Sequence, residues 1–488
     1  MNRERFIALL GLWAQGTKPL YQQLAHALRQ AILATEIPAA MRLPAERICA
    51  QWLGLSRSTV VAAYRVLVDE GWVSSRHGSG TWVHALTSQR STQLRSAQLH
   101  SLARGPVYDA FLSEQVHQID LATGAVLWPE GTSAVPYLPT GAEMDALGSE
   151  YGYLPQGYLP LRRAIAHYYE QRGVPTVPEQ IIITTGAQQA IMLVASCFLQ
   201  RGDPLVMESP TFFGAIDAFR SLGLRLQSVP VTRDGLNLDR LEQRMRAGAA
   251  QWLYLIPTVH NPTGTSLTEE QRRSVVQLAE QLGNTIIEDL SMADLLLTDQ
   301  ILPPLAAYAP NDTVISIGSL SKSIWGGLRV GWVRASAGIV ARLARFKAIQ
   351  DLGSPLLSQV MATHVLADFP ALVQQRRHEL QRGVACMEAY LRHWLPTWQW
   401  AHPTGGMFIW VQLPRGDARE LAQIAARYGV LVTPGTTLSV AEDAIDYLRL
   451  TSIRSPQEIT EGLDLLRLAW EEYMQKMGRS HPELQVIV

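Results

Sequence analysis

Apolar residues near the start of the chain recur at four-residue intervals, at Leu20, Leu24, Leu28 and Ile32. This spacing places them on one face of a helix. It therefore predicts a helix over residues 19–35, which Pro38 brings to an end.

A second and a third helix are predicted next. Pro44 suits the first turn of a short helix that runs to about Leu53. After a tight turn, either Ser56 or Ser58 caps a third helix, which ends at Gly71. The apolar stripe of this third helix consists of Val60, Tyr64, Leu67 and Val68.

Two short runs rich in β-branched and aromatic residues follow, Trp72-Val73 and Thr81-Trp82-Val83. The basic, glycine-rich segment from Arg76 to Gly80 lies between them and predicts a β-hairpin. Three helices and a hairpin in this order predict a winged helix-turn-helix, whose third helix enters the major groove of DNA. Winged helices also dock proteins, but the order of the motifs favours DNA.

From residue 117 onward, short apolar runs alternate with helical stretches. Five of these runs predict strands, at residues 181–184, 204–207, 252–255, 285–288 and 314–317. The alternation predicts an α/β domain with a largely parallel sheet. Ligands bind beyond the carboxyl ends of such strands, so the polar residues that follow each strand are the candidates for chemistry.

The periodicity fades between these two parts. Residues 85–116 are rich in Ser, Thr, Gln and Arg, and this composition predicts a polar linker. The predicted organisation is a DNA-binding domain at residues 17–84 and a larger domain at residues 117–488.

Charge and cysteine content refine this organisation. Residues 1–84 carry nine basic and five acidic side chains, which give a net charge of +4. The whole chain of 488 residues has a net charge of −1, so the remaining residues carry −5. A small basic module on an acidic body suits attraction to DNA phosphates. The three cysteines lack the spacing of metal ligands or of a disulfide framework, and no apolar run approaches membrane-spanning length. We expect no metal, no membrane and a cytoplasmic protein without a leader.

The segment Ser319-Leu320-Ser321-Lys322 follows the strand at 314–317. Most lysines are solvated surface residues, but a lysine among hydroxyl groups at a strand end suits Schiff-base formation with an aldehyde cofactor. Arg329 could bind a phosphate through two hydrogen bonds, with Ser319 and Ser321 as further donors.

A second phosphate element is predicted where Thr185-Gly186-Ala187-Gln188-Gln189 opens a helix at 188–199. Glycine permits close backbone approach, and the free N–H groups of a helix start favour a phosphate dianion. An ordinary strand-to-helix turn would have the same pattern.

Three further side chains suit a pyridine ring. The carboxylate of Asp289, at a strand end, would keep the ring nitrogen protonated. Asn261, in the turn His260-Asn261-Pro262-Thr263-Gly264, could donate to the phenolic oxygen. Phe212 could stack on the ring, although an isolated Phe is more often a core residue.

The N-terminal motifs resemble the GntR family of bacterial regulators. They are Pro19–Leu24 (PLYQQL), Leu43–Arg47 (LPAER), Leu55–Val60 (LSRSTV), Gly71-Trp72 and His77-Gly78. The resemblance implies DNA contacts at Arg47, Ser56, Arg57, Ser58, Thr59, His77 and Gly78. Val61 stands where the family often has an arginine.

Residues 117–475 resemble the fold-type I aminotransferases that use pyridoxal 5′-phosphate. The motifs are Asn-Pro-Thr-Gly, Asp, Ser-x-Ser-Lys and Gly-Leu-Arg-x-Gly, in this order. The resemblance implies a large α/β domain with a mostly parallel sheet and a smaller C-terminal α+β subdomain.

The same resemblance assigns roles around the cofactor. Lys322 would form the Schiff base, Asp289 would bind the ring nitrogen and Asn261 the phenolic oxygen. Phe212 would stack on the ring, and Arg449 would bind a substrate carboxylate. The phosphate would be held by Gly186, Ala187, Gln188, Ser319, Ser321 and Arg329, and by a partner-subunit tyrosine that is either Tyr153 or Tyr151. One departure is clear: the tyrosine that usually follows the aspartate is absent from Asp289-Leu290-Ser291-Met292.

A GntR-type winged helix fused to an aminotransferase-like domain resembles the MocR subfamily of regulators. This layout implies a head-to-tail homodimer on an operator of double-stranded DNA. The large domain would then be a sensor of pyridoxal phosphate or of an amino-compound effector. The alternative is a working aminotransferase that carries a DNA-tethering domain. The missing tyrosine and the intact Ser-Arg-Ser-Thr helix favour the regulator.

Overall fold

The computed structural model describes residues 3–11, 13–14, 19–34, 36–38, 40–76, 80–83, 118–232, 235–247, 250–309, 312–441 and 443–480. The predicted linker, residues 85–116, lies outside these residues, and so do the predicted DNA contacts His77 and Gly78. The chain divides into two compact units. The first comprises Met1–Thr123, Arg415–Pro434 and Gln457–Val488, and the second comprises Gly124–Pro414 and Gly435–Pro456.

The α-helices are α1 (Arg3–Leu10), α2 (Leu20–Leu33), α3 (Glu46–Leu53), α4 (Arg57–Asp69), α5 (Gly141–Gly148), α6 (Leu159–Glu170), α7 (Ala187–Phe198), α8 (Phe213–Ser221), α9 (Leu238–Arg246), α10 (Glu269–Leu282), α11 (Ala337–Asp351), α12 (Leu356–Ala367), α13 (Phe369–Trp394), α14 (Ala418–Arg427) and α15 (Pro456–Ser480). The strands are β1 (Val73–Arg76), β2 (Gly80–Val83), β3 (Ile119–Asp120), β4 (Ile181–Thr184), β5 (Pro204–Ser209), β6 (Arg225–Thr232), β7 (Gly235–Leu236), β8 (Trp252–Leu255), β9 (Thr285–Asp289), β10 (Val314–Ser319), β11 (Gly331–Arg334), β12 (Gln399–Trp400), β13 (Phe408–Gln412), β14 (Val430–Leu431), β15 (Thr433–Pro434) and β16 (Tyr447–Thr451).

Helices α2, α3 and α4 with the hairpin β1–β2 form the predicted winged helix-turn-helix in the first unit. The hairpin pairs Val73 with Val83, and both side chains lie in the same core as most of the predicted stripes of α2 and α4. Val68 was expected in the stripe of α4 but is 37% exposed. Ser56 is the residue that caps α4, because its hydroxyl oxygen accepts the backbone N–H of Thr59 at 3.1 Å.

Helix α1 also packs on this core, and the sequence patterns did not predict it. Phe6 is fully buried, with its ring centroid 5.7 Å from that of Trp52 in α3. An isolated eight-residue helix is unstable in water, so α1 depends on this packing. The helix begins before residue 17, where the DNA-binding domain was expected to start.

Elsewhere in the first unit, β3 pairs in parallel with β14, with Ile119 opposite Val430. The Asp120 carboxylate accepts the backbone N–H groups of Ala122 and Thr123 at 2.9 and 2.8 Å. These bonds shape the chain where it leaves β3.

An eight-stranded sheet in the order β4-β11-β10-β9-β8-β5-β6-β7 forms the centre of the second unit. Strands β11 and β7 are antiparallel to their neighbours, and the other pairings are parallel. The α/β fold with a mostly parallel sheet is therefore confirmed. The five predicted strands correspond to β4, β5, β8, β9 and β10, whereas β6, β7 and β11 were not predicted.

Both faces of this sheet are covered, which explains why its strands are continuous apolar runs. Ile181 and Ile183 of β4 belong to the core that packs against α6, α10 and α12. Ile182, between them, belongs to the core on the other face, with α7, α8 and α11.

Strands β12, β13 and β16 form an antiparallel sheet that also belongs to the second unit, with Trp410 of β13 opposite Arg449 of β16. This is the predicted smaller α+β portion. In the described part of the chain no single helix is both long and apolar enough to cross a membrane, although α12 and α13, bent by 82° at their junction, meet the length and composition limits as a pair.

Candidate functional site

The predicted cofactor residues follow five parallel strands of the large sheet. Asp289 and Ser319 are the last residues of β9 and β10. Gly186 follows β4, Phe212 follows β5, and Asn261 follows β8. Because these strands run in the same direction, the residues lie at one edge of the sheet, as predicted.

The turn after β4 and the loop before β11 are in close contact. A Cβ atom built on Gly331 would lie 2.6 Å from the carbonyl carbon of Gly186 and 3.0 Å from the nitrogen of Ala187. The Arg329 guanidinium lies beside the same turn, with Nη2 3.3 Å from a Cβ built on Gly186. Glycine at 331 therefore allows the arginine to reach the start of α7.

Two hydroxyl groups lie on the neighbouring loop. The Oγ atoms of Ser319 and Ser321 are 3.0 Å apart, and Ser319 Oγ also donates to the carbonyl of Val330 at 3.3 Å. Together with Arg329 and the backbone N–H groups of Gly186 and Ala187 at the start of α7, these hydroxyls form a cluster of donors that suits a phosphate dianion.

A side-chain network that extends from the buried Lys347 to the surface lies next to this cluster. Gln189 accepts the backbone N–H of Thr185 at 2.7 Å and donates to Asp351 at 2.7 Å. The fully buried Lys347 donates to both oxygens of Asp351, at 2.7 and 2.8 Å. The network fixes the turn that precedes Gly186. The sequence patterns did not identify any of its side chains as functional.

Lys322 is partly buried, and its Nζ donates to the carbonyl of Gly124 at 2.7 Å. Burial, together with the positive charges of Arg449, Arg454 and Arg329, lowers the pKa of Lys322 to about 8. A larger fraction of this amine is neutral and nucleophilic at physiological pH than of an ordinary lysine.

Arg376 connects the segment that follows this lysine to the segment that follows Gly124. Its buried guanidinium donates to the carbonyl groups of Ser323 and Ile324, which follow Lys322, and to that of Leu127, which lies just beyond Gly124. The amine and the carbonyl that accepts its hydrogen bond are thus carried by two segments joined through one guanidinium.

Asp289 is almost fully buried, and both of its oxygens are bound. Tyr254 donates to Oδ2 at 2.7 Å, and Ser291 donates to Oδ1 through its backbone N–H at 2.8 Å and its hydroxyl at 2.5 Å. Ser291, which lies in the segment where a tyrosine was expected, therefore directs its hydroxyl at the aspartate. Tyr254 was missed because a tyrosine inside an apolar strand reads as a core residue.

Two other buried titratable groups lie near Asp289. Burial raises the pKa of Glu208 to about 8, and the negative charge of Asp289 raises it too, so this carboxyl group is protonated at neutral pH. Burial lowers the pKa of His260 to about 3. His260 is therefore neutral, and its 3.7 Å approach to Glu208 is not an ion pair.

Arg449 and Asn261 are in direct contact. Arg449 Nη1 donates to Asn261 Oδ1 at 3.1 Å, and both side chains are buried. The guanidinium carbon lies 4.0 Å from the ring centroid of Phe408 and 5.8 Å from that of Phe213. This packing fixes the position of the arginine.

The remaining predicted residues lie as follows. Phe212 caps α8, and its ring crowds Gly214, whose carbonyl accepts the Gln188 side-chain amide at 2.7 Å. The side chain of Gln188 thus binds the first turn of α8. Tyr151 and Tyr153 are 98% and 68% exposed, so neither faces the interior of its own chain.

On the DNA-binding domain, Arg47, Ser56, Arg57 and Ser58 are exposed and Thr59 is half-buried. Arg57 forms an ion pair with Glu46, with Nη2 3.0 Å from Oε2. Arg42, which was not predicted as a contact, lies alongside β2, with its guanidinium against Gly80 at the end of the hairpin nearest the turn. The sequence did not indicate Arg42 as a DNA contact because it precedes a helix and is distant in sequence from the hairpin.

Comparisons with known proteins match both parts. Residues 116–466 match the family described as aminotransferase class I and II. The chain belongs to this family. Residues 20–83 match the family described as bacterial regulatory proteins, gntR family. The predicted MocR-like combination of a GntR domain and an aminotransferase domain is therefore confirmed.

Individual relatives fall into two groups. The chain is 28% identical over 474 residues to an uncharacterized HTH-type transcriptional regulator, YdfD, of Bacillus subtilis, covering 93% of this chain and 97% of that protein. It is 32% identical to a 2-aminoadipate transaminase of Thermus thermophilus, covering 73% of this chain and 86% of that protein. The structure of LysN, an alpha-aminoadipate aminotransferase from Thermus thermophilus complexed with N-(5′-phosphopyridoxyl)-L-leucine, matches with a TM-score of 0.69 and 28% identity, covering 77% of this chain and 96% of that one.

This aminotransferase-family chain binds pyridoxal 5′-phosphate, and the residues present fit the cofactor. The donor cluster suits its phosphate, the low-pKa amine of Lys322 suits its aldehyde, and the buried carboxyl group of Asp289 suits its ring nitrogen. When bound, the cofactor supplies an aldehyde that captures amines and a ring that accepts electrons.

The low pKa of Lys322 predicts a pH profile for cofactor capture. With a pKa of about 8, roughly one amine in ten is neutral at pH 7, compared with fewer than one in a thousand for an ordinary lysine. We expect the rate at which the cofactor-free protein takes up pyridoxal phosphate to rise with pH and to level off above about 9. Stopped-flow absorbance between pH 6 and 10 measures this rate, with the side-chain amine of Nα-acetyl-lysine as the reference. A rate that keeps rising to pH 10 would contradict the assignment.

Proposed function

We propose that this protein is a DNA-binding transcription regulator that senses pyridoxal phosphate, or an amino compound that reacts with the bound cofactor. One observation carries the proposal. The same chain presents a capped, exposed third helix of a winged helix-turn-helix and a low-pKa lysine beside a cluster of phosphate donors. The regulator relative is matched over nearly the full length of both chains, which supports this function.

We assign the cofactor contacts as follows. Lys322 forms the Schiff base, and Tyr254 and Ser291 hold Asp289 for the ring nitrogen. Asn261 faces the phenolic oxygen, and Arg449 binds the carboxylate of an amino-acid effector. The phosphate is held by Ser319, Ser321, Arg329 and the backbone N–H groups at Gly186, Ala187 and Gln188, and Phe212 stacks on the ring.

The proposed operator contacts are the exposed residues at the start of α4, Ser56, Arg57, Ser58 and Thr59, together with Arg47 of α3. Ser56 has a further role, because its hydroxyl caps the helix that enters the groove. The proposed contacts at His77 and Gly78 rest on the family resemblance alone.

We also propose a homodimer with a head-to-tail arrangement, in which Tyr153 or Tyr151 reaches the partner's phosphate. Large apolar side chains are exposed on neighbouring segments of the second unit, namely Leu127, Val135, Leu138, Met144, Ile349, Leu352 and Leu357. These segments are adjacent, since His364 of α12 bonds to Tyr137 and Glu143, and Gly353 packs on Leu154. Apolar side chains exposed on adjacent segments are typical of an interface. Because its proposed partner is DNA, we place the protein in the cytoplasm, at the nucleoid when it is bound.

An aminotransferase remains the second candidate. The observation that favours it is the buried pair of Arg449 and Asn261 beside Lys322, which is the kind of carboxylate site that turnover needs, and one relative is a 2-aminoadipate transaminase. The two functions differ in one measurable respect. A sensor binds the amino compound and changes its affinity for DNA, whereas an enzyme turns over an amino acid with a 2-oxo acid.

The sensor proposal predicts a visible absorbance band of the protein loaded with pyridoxal phosphate, and its loss in Lys322→Ala. A panel of amines should shift this band and change the affinity for an operator fragment selected from random duplexes by the wild-type protein. Steady consumption of amino acid and 2-oxo acid, with no change in DNA affinity, would favour the enzyme. A wild-type protein that shows no band after the cofactor is added would refute the proposal.

The proposed DNA surface predicts that Arg57→Ala weakens binding to the same operator fragment about tenfold to a hundredfold, because one base or phosphate contact contributes about 1–3 kcal/mol. Arg244→Ala, on an exposed part of α9, is the matched control and should leave affinity unchanged. Gel-shift titration measures both. Equal affinity of wild type and Arg57→Ala would count against this docking surface.

The proposed dimer predicts the mass of two chains in sedimentation equilibrium at micromolar concentration. Ile349, 84% exposed on α11, should tolerate Asp in a monomer but not at an apolar interface, so Ile349→Asp should raise the dimer dissociation constant at least tenfold. Arg244→Asp serves as the control for added negative charge. A wild-type mass of one chain would overturn the dimer.

A further inference from the structure

An open pocket of about 400 Å³ lies in the second unit, between α13 and the short strand β12. Its volume is within the range of sites that bind small molecules. Helix α13 supplies two of the lining residues, and β12 with the residues on either side of it supplies the others. The lining consists of Glu388, Arg392, Trp398, Gln399, Trp400 and His402.

This pocket is distinct from the cofactor site. Arg376, whose guanidinium binds the segment after Lys322, and Glu388 both belong to α13, twelve residues apart. A helix rises about 1.5 Å per residue, so about 18 Å of helix separates the two positions. None of the six residues that line the pocket is among those assigned to the cofactor.

The carboxylate of Glu388 connects three of the side chains that line the pocket. Its side chain is only 6% exposed. It accepts hydrogen bonds from Arg392 Nη2 at 2.7 Å, from the Trp400 indole at 3.1 Å and from His402 Nδ1 at 3.0 Å. Burial raises the pKa of Glu388, but these hydrogen bonds outweigh the effect of burial, so the group is ionised at neutral pH. One buried charge therefore fixes a guanidinium and two aromatic rings.

The solvent side of this cluster combines a cation with a flat ring. The Arg392 side chain is 63% exposed, and its guanidinium carbon lies 5.9 Å from the ring centroid of Trp400. Glu388 binds only the Nη2 group of this arginine, and the Nε and Nη1 groups donate to no residue in the part of the chain that the structure describes. The half-buried Trp400 lines the same pocket. A ligand would therefore meet N–H donors and an indole surface side by side.

We propose that this pocket binds a small aromatic carboxylate. The carboxylate binds the Nε and Nη1 groups of Arg392, since a planar guanidinium matches the two oxygens of a carboxylate. The ring of the ligand stacks on Trp400. The short distance between the guanidinium and the indole favours a carboxylate attached directly to the ring. Such binding is independent of the proposed sensor function, because the pocket shares no residue with the cofactor site.

The class of ligand is tested with three probes of similar size, namely benzoate, benzamide and cyclohexanecarboxylate. Each is titrated against the full chain loaded with pyridoxal phosphate, and ligand-observed NMR gives the dissociation constants. We expect benzoate to bind about tenfold more tightly than benzamide, which lacks the charge. Cyclohexanecarboxylate keeps the charge without the flat ring, so we expect it to bind about twofold to tenfold more weakly than benzoate. The absorbance of the cofactor, recorded in the same samples, detects any probe that reaches Lys322.

The two ligand-binding residues are tested in the same titrations. Arg392→Gln should lower the affinity for benzoate about tenfold and leave that for benzamide unchanged, and Arg392→Lys should restore part of the loss. Trp400→Leu should remove the preference for benzoate over cyclohexanecarboxylate, whereas Trp400→Phe should keep it. Arg244→Gln, which removes a distant exposed arginine, should behave as wild type. Melting temperatures show that each variant is folded, and Arg392, on the surface, is the variant least affected by folding.

Three outcomes would overturn the proposal. The first is that benzoate does not bind, or binds no better than benzamide. The second is that benzoate binds equally well to wild type and Arg392→Gln, which would place it at another site. The third is that the preference for the flat ring survives in Trp400→Leu. Absence of the cofactor band in the wild type would count against the sensor function alone and would leave this pocket in place.

Discussion

The cofactor site depends on how closely the start of β11 approaches the turn after β4. Strand β11 runs antiparallel between β4 and β10, so the chain must reverse direction directly after the Lys322 loop. No side chain fits between Gly331 and Gly186. Because the backbones touch there, Arg329 reaches the first turn of α7, and the phosphate donors of two separate loops become a single cluster.

The electrostatics of the site follow from burial. Burial keeps Glu208 protonated and His260 neutral, so these groups add no charge near Asp289. Asp289 itself has fixed hydrogen-bond donors on both oxygens. The amine of Lys322 is partly neutral because it is desolvated among arginines. The charge states around Asp289 and Lys322 are therefore set largely by burial.

Much of this fold could be predicted from sequence, because strands buried on both faces are continuous apolar runs, as in β4 and β10. The ends of those strands then identified Lys322, Asp289 and Arg329. Short elements without their own pattern were missed. Helix α1 is stable only against a core formed by other segments, and β11 has four residues whose role is decided by its neighbours.

The supporting side chains were missed for a related reason. Gln189, Lys347 and Asp351 meet only in the folded chain, and nothing in their local sequence distinguishes them from residues of ordinary helices. Tyr151 and Tyr153 are both exposed on their own chain, so the role proposed for them depends on the partner subunit and not on local sequence. The sequence showed only that a tyrosine is missing near Asp289. In the structure the hydroxyl of Ser291, in the same segment, donates a hydrogen bond to the Asp289 carboxylate.

The ion pair between Arg57 and Glu46 has a consequence for how the head behaves away from its operator. If Arg57 contacts DNA as proposed, its carboxylate neighbour lowers the number of condensed counterions that the arginine releases from any duplex, and the ion pair with Glu46 must be broken first. Weaker binding to non-specific DNA shortens the time that the protein spends at each non-specific site. We therefore expect Glu46 to leave more protein free to find the operator, while it also lowers the affinity for the operator itself.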